Sequence, residues 1–236
     1  MFKQNQMAFY KRIVLDNAFN VRDIGGYSTS DNSIVKWKAF IRGEELNFLS
    51  KSDVVALYEY GVRTVIDLRF PFEAIQNKHF SEMGIVYKNI SLLDKYADFG
   101  GRYYQHLIDN CGENMKILFD YICQRIEYGG ILYHCAAGRD RTGVATALLL
   151  LLCGVSDDDI IADYSVTSIY LKPFAARHKL TSEDIMSNPD EMERFIIHVK
   201  EKYKNAEQYL LSIGLSESNI NKLKKFLMLG VISNGH

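Results

Sequence analysis

The run Tyr133-His134-Cys135-Ala136-Ala137-Gly138-Arg139-Asp140-Arg141-Thr142-Gly143 gathers residues that could do chemistry at one place. A cysteine attacks phosphorus as a thiolate, a form favoured by backbone N–H groups, a helix N-terminus and a nearby cation. Arg141, at the far end of the loop from Cys135, can fold back over it, where its planar fork matches two oxygens of a phosphate. Gly138 and Gly143 allow close approach of the backbone. The Thr142 hydroxyl is placed to hydrogen-bond the sulfur and ease its departure when a thiophosphate is hydrolysed. His134 reads as a residue that orients the loop, not as a base. Asp140 stands apart. A carboxylate inside an anion cradle repels its ligand unless it carries a proton to donate, which makes Asp140 a candidate general acid.

The flanking elements fit that use. Ile131-Leu132-Tyr133 is a short apolar run that reads as a buried strand, and Val144 to Leu152 is long enough for a buried helix. The loop therefore lies at a strand's C-terminal end and a helix's N-terminus, where N–H groups point inward and the helix dipole is positive. Upstream, Phe9 to Leu15 reads as a first strand and Asn20 to Tyr27 as a loop with Gly25 and Gly26. Ser30 to Ser33 is a turn. Val35 to Ile41 alternates as an amphipathic strand with Phe40 as a mismatch. Ser50 with Asp53 opens a helix that ends at Gly61. Val62 to Leu68 is a buried strand with Asp67 and Arg69 at its C-terminal end, the edge that carries ligands in open α/β sheets; a structural ion pair is the alternative. Ile85 to Leu92 is another strand, and Met115 to Ile126 has helical spacing before Gly129-Gly130. Strands alternating with helices give an α/β fold with a central, mainly parallel sheet flanked by helices. Helical additions follow the loop. Ser156 with Asp159 opens a helix towards Tyr170, Asn188-Pro189 opens another, and Ala206 to Ile213 and Ile220 to Leu229 form two more. Pro173 to Ser187 lacks clean periodicity and holds Arg177, His178 and Lys179, so it reads as a solvated loop or as a cationic lid.

His134-Cys135 with Gly138, Arg141, Thr142 and Gly143 matches H-C-x-x-G-x-x-R-T-G, and in this the chain resembles the cysteine-dependent protein tyrosine phosphatases. The fuller Ala137 to Gly143 is similar to a bacterial and fungal branch reading A-G-K-D-R-T-G, which contains dual-specificity and phosphoinositide phosphatases. Asn20-Val21-Arg22-Asp23-Ile24-Gly25-Gly26-Tyr27 resembles the branch's N-F-R-D-L-G-G, and Asp67-Leu68-Arg69 its D-L-R. The resemblance implies a tyrosine-phosphatase-like fold, Cys135 as nucleophile, Arg141 as phosphate clamp and Asp140 as acid. Around the substrate it places Ala136, Ala137, Gly138, Arg139, Thr142 and Gly143, with Asp67 and Arg69. It implies a phosphorylated protein or a phosphoinositide as substrate, and no cofactor. Arg139 stands where the branch usually has the Lys associated with lipid head groups. Conventional members of the superfamily carry their acid on a mobile loop before the cysteine. Asp94 and Asp98, on the polar stretch Ser91 to Arg102, are therefore rivals to Asp140.

The 236 residues fit one phosphatase domain over 1–236, mostly helical from 155 onward. A net charge of −1 carries no nucleic-acid footprint. Cys111, Cys123 and Cys153 read as inert core, and four cysteines without paired spacing suggest a reducing, cytoplasmic setting. The histidines are scattered and show no metal-ligand spacing. Met1 to Asn20 has no long apolar run, and the run at Leu148 to Leu152 is too short to span a bilayer. A sulfurtransferase or arsenate reductase needs no His-Cys…Arg-Thr-Gly frame. A phosphate-binding pseudophosphatase would not need both Cys135 and Arg141 intact.

Overall fold

The computed structural model of the chain describes residues 11–74, 76–93 and 103–229. Asp94 and Asp98 lie outside the described residues. The first elements are β1 (Arg22–Asp23), β2 (Ile34–Val35), β3 (Phe40–Gly43), α1 (Lys51–Tyr60), β4 (Val62–Asp67), α2 (Lys78–Glu82) and β5 (Val86–Asn89). Then come α3 (Tyr103–Asn110), α4 (Gly112–Arg125), β6 (Gly130–His134) and α5 (Asp140–Leu152). The remainder is α6 (Asp157–Ser165), α7 (Thr167–Tyr170), α8 (Lys172–His178), α9 (Pro189–Tyr203), α10 (Ala206–Ser212), α11 (Glu217–Leu227) and β7 (Met228–Leu229).

The main sheet has the order β1-β3-β6-β4-β5. β3, β6, β4 and β5 run parallel, and β1 pairs antiparallel with β3. Gly43 and Asp67 both lie opposite His134, so three strands end level beneath the loop. β6 is buried at every position, as a central strand covered on both faces must be. α5 is apolar almost all round because it runs through the core instead of along its surface. It begins at Asp140, earlier than the apolar run suggested, so Asp140 and Arg141 stand in its first turn.

Local signals were obeyed where they were strong. Ser50 and Asp53 form the reciprocal capping box on α1, and Gly61 ends it at φ 122°. Asn188 caps α9 with Pro189 behind it. Others were overridden. The reading of Val35 to Ile41 as one strand fails: the chain turns at Lys38, φ 62°, and leaves two pieces. Phe40 is no mismatch. β3 lies between β1 and β6, and Phe40 is fully buried with its ring edge-on to Tyr133 at 6.4 Å. Of the expected first strand, Phe9 and Tyr10 lie outside the described residues, and the rest contributes an isolated bridge, Arg12 to Arg22. The last helix stops at Leu227, and β7 pairs with β2. Residues 173–187 are not all loop, since α8 occupies the first part. No described helix is long and apolar enough to cross a membrane.

Candidate active site

The loop from Cys135 to Arg139 is held from outside by its carbonyls. Ala136 O accepts from the Glu45 N–H at 2.9 Å, Ala137 O from Asn20 Nδ2 at 3.0 Å, and Gly138 O from Arg42 at 2.8 Å. The peptide N–H groups of Ala136 to Asp140 make no hydrogen bond to an acceptor among the described residues. With carbonyls turned out and amides left over at a helix N-terminus, the loop is an anion cradle. Gly138 is required by this shape. Its φ is +66°, and a Cβ there would lie 2.3 Å from Gly43 O. Cys135 is only 3% exposed, at the end of β6.

The holder of Gly138 O is itself locked. Arg42 meets Asp163 Oδ2 at 2.5 Å, and Arg22 meets Asp163 Oδ1 at 3.1 Å, all three side chains fully buried. Arg22 also donates to Asn20 Oδ1, which aims the Asn20 amide at the loop. The resemblance pointed to Asn20 and Arg22, but Arg42 and Asp163 were missed. A charge within an otherwise apolar strand was the only available signal, and its partner lies 121 residues away. Burial alone would raise the Asp163 carboxyl pKa, but Arg22 and Arg42 outweigh it and hold the group well below the usual range. Asp163→Asn leaves two buried guanidiniums uncompensated, and we expect a loss of about 3–5 kcal/mol, or about 10 °C in Tm. Because the folded pKa is depressed, the wild-type advantage is complete above the unfolded value of about 3.9 and shrinks progressively as pH falls from there towards the much lower folded value. Thermal melts of both proteins between neutral pH and about pH 3 check this; equal Tm at neutral pH would refute it.

His134 supports the loop. Burial pushes its pKa down to about 4, so the ring is neutral. Nδ1 lies 3.2 Å from Cys135 O, which can only accept, so Nδ1 carries the proton. Asp67 and Arg69 do lie at the sheet edge, but they bind each other at 2.7 Å, and Arg69 also binds Glu45 at 2.9 Å and Asn47 at 3.0 Å. Their reach to the cradle is indirect, through Glu45, whose N–H holds Ala136 O. Glu44 next to it is buried and accepts from the N–H groups of Phe19 and Asn20. These contacts explain why the N-terminal motif and the D-L-R motif accompany the loop. Both are braces.

Asp140 is partly exposed at the rim. Its Oδ1 accepts from Tyr104 at 2.6 Å and from Arg139 Nε at 2.9 Å. Arg139 continues to the carbonyls of Asp184 and Met186 at 2.7 and 3.0 Å, which ties the segment after α8 to the loop. Leu171, Phe174, Ala175 and Ile185 pack there against Phe19 and Ala137. The stretch read as a solvated loop or a cationic lid is therefore in part an apolar cap packed on Ala137. Its charges face elsewhere: Arg177 binds Asn17 O at 2.9 Å, and His178 lies 3.3 Å from Glu45. Arg141 has Leu68 O at 3.5 Å and Glu73 at 3.7 Å. Thr142 Oγ1 is buried with no hydrogen-bond partner among the described residues. Cys123 and Cys153 are core thiols, pushed up to about 12 by burial, and Cys111 is buried too.

Amides left over at a helix N-terminus can hold an anion, and Cys135 stands at the start of that loop. Fold and site together define a phosphatase. The chain belongs to the tyrosine phosphatase family, whose sequence model matches residues 13–229. It is 28% identical over 215 residues to a tyrosine-protein phosphatase of Nostoc commune, covering 79% of this chain and 73% of that one. It is 26% identical over 120 residues to the triple specificity protein phosphatase PtpB of Mycobacterium tuberculosis, covering 42% and 44%. The solved structure of Pseudomonas aeruginosa TpbA aligns with 80% of this chain and 96% of its own at a TM-score of 0.44 and 13% identity.

Proposed function

We propose that this phosphatase hydrolyses phosphotyrosine in proteins through a phosphocysteine intermediate. The observation that carries the reading is the loop after Cys135, with its carbonyls held by Glu45, Asn20 and Arg42 and its amides left over. The Cys135 thiolate attacks phosphorus, the S–P bond forms as the P–O bond breaks, and Asp140 gives its proton to the leaving oxygen. The loop amides and Arg141 hold the equatorial oxygens. Water then attacks phosphorus, Asp140 takes its proton, and the thiolate leaves. The unpartnered Thr142 hydroxyl is available to donate to that sulfur. The names of the relatives support protein substrates and, through PtpB, a tolerance for more than one phosphoester. Phosphoinositides are the second reading. It is the weaker because Arg139 and Arg177 are already engaged by protein groups. No disulfide is seen among the described residues, which supports a reducing, cytoplasmic setting. Turnover of a phosphotyrosine peptide above a phosphoserine peptide and a soluble phosphoinositide is the expected result; preference for the phosphoinositide would reverse the order.

The acid is tested by leaving group. Removing it slows departure of a basic alkoxide or phenolate far more than that of an activated one. For Asp140→Asn we expect a loss of about 10²-fold in the rate of phosphocysteine formation from substrates with poor leaving groups, and a much smaller loss from p-nitrophenyl phosphate. If Asp98→Asn shows that pattern and Asp140→Asn does not, the acid lies in the segment before α3.

A further inference from the structure

We infer that Tyr104 is a positioning residue for the acid: it fixes Asp140 so that Oδ2 is the oxygen that carries the proton to the leaving group. The inference rests on the reading of Asp140 as the acid. Both hydrogen bonds to Asp140 converge on Oδ1, from the Tyr104 hydroxyl at 2.6 Å and Arg139 Nε at 2.9 Å. Among the described residues none reaches Oδ2. A carboxyl group whose Oδ1 is saturated by two donors keeps that oxygen as the acceptor, so in the acid form the proton resides on Oδ2. The hydroxyl can act only as a donor here. Tyr104 is 5% exposed, and burial together with the Asp140 charge keeps its phenol protonated at any working pH.

The donor is itself oriented. Tyr104 Oη lies 2.6 Å from the hydroxyl of Tyr164, which is fully buried. Tyr104 has one proton and gives it to Asp140, so the proton between the two phenols comes from Tyr164. Glu191, at 3.2 Å from Tyr164, is the longer contact and competes for that proton. Tyr164 is thus shared between Tyr104 and Glu191, and its shorter contact holds the Tyr104 hydroxyl in place. The rings are fixed as well: Tyr104 stands edge-on to Tyr164 at 6.0 Å and to Phe195 at 6.4 Å. Tyr104, Arg139, Asp140 and Glu191 line one cavity of about 310 Å³, so the carboxyl group is open to solvent on that side.

Tyr104→Phe keeps the ring and deletes the donor. The measurement is the single-turnover rate of phosphocysteine formation at saturating substrate, over a series of phenyl phosphates of rising leaving-group basicity. It is made for the wild type, Tyr104→Phe, Asp140→Asn and the double variant. We expect Tyr104→Phe to lose about 10-fold on the most basic leaving group, part of the full contribution of an acid, and much less on the most activated one. The half-saturation concentration should stay unchanged. The double variant should match Asp140→Asn alone, since a donor to an absent acid has nothing to position. A wild-type dependence on leaving group in Tyr104→Phe, or a further loss in the double variant, would overturn the inference while leaving Asp140 as the acid. A wild-type dependence in Asp140→Asn would overturn both. If Tyr104→Phe does not fold, Tyr164→Phe, which weakens the same donor from behind, should steepen the dependence in the same sense. An unchanged dependence there would overturn the inference.

Discussion

Cys135→Ser should abolish turnover while leaving the fold intact and the substrate bound. The serine hydroxyl occupies nearly the same volume at the end of β6, and Cys135 is buried without a disulfide, so little packing is lost. What is lost is the nucleophile. A thiol is intrinsically the more acidic and more nucleophilic group, whereas an alcohol keeps its proton and needs a base. Among the described residues the neighbouring histidine is not a base for it. His134, the neighbour, is neutral and turns its Nδ1 proton to the Cys135 carbonyl. We expect kcat on p-nitrophenyl phosphate to fall by about 10⁴–10⁶-fold, the scale seen when an enzyme loses its nucleophile. Inorganic phosphate and phosphotyrosine peptides should still bind, because the braced amides and Arg141 remain. Kinetics with calorimetric binding check both halves. Retention of a few per cent of turnover would remove Cys135 from the mechanism, and loss of binding with a normal Tm would mean that the cradle depends on the sulfur.

The second large effect is expected at Arg141, where charge and geometry can be separated. Arg141→Lys keeps the positive charge at the N-terminus of α5. It loses a guanidinium already oriented by Leu68 O at 3.5 Å and Glu73 at 3.7 Å. A lysine ammonium is a point donor and cannot reach the protein acceptors and two phosphate oxygens in one plane. If the guanidinium grips the transition state, kcat should fall by about 10³-fold or more, near the lower end of what an arginine contributes in phosphoryl transfer. If only charge matters, kcat should stay within a few-fold of wild type. Every factor of ten lost corresponds to about 1.4 kcal/mol of transition-state binding. A near-normal kcat in Arg141→Lys would show that the planar fork is not needed. The Glu73 contact adds a detail: the carboxylate sits where it helps orient Arg141 and must share it with phosphate, so Arg141→Lys should also change the apparent affinity for inorganic phosphate.

Much of the site was legible because its rules are local. A strand, a small-residue loop and a buried helix in that order make an anion cradle, and Cys135, Asp140, Arg141 and Thr142 can be placed in it by counting along the chain. The capping box at Ser50, the stop at Gly61 and the Asn188-Pro189 start were legible for the same reason: each is decided within a turn of the backbone. The alternation from Val35 to Ile41 misled because alternation assumes one wet face. β3 is covered on both faces, and the turn at Lys38 brings Phe40 into the core. The braces were invisible for a different reason. Which residue holds Gly138 O, what neutralises Arg42, and which hydroxyl grips Asp140 depend on side chains from β3, α6 and α3 meeting after the sheet has closed. Asp163 and Tyr104 carry no local mark of that role. By itself the sequence determined which groups meet at the loop, since a thiol, a guanidinium and a carboxyl at that spacing admit few uses. The tertiary structure alone decided how the chemistry is held, because a buried charge or hydroxyl acquires its meaning from the partner that folding brings to it.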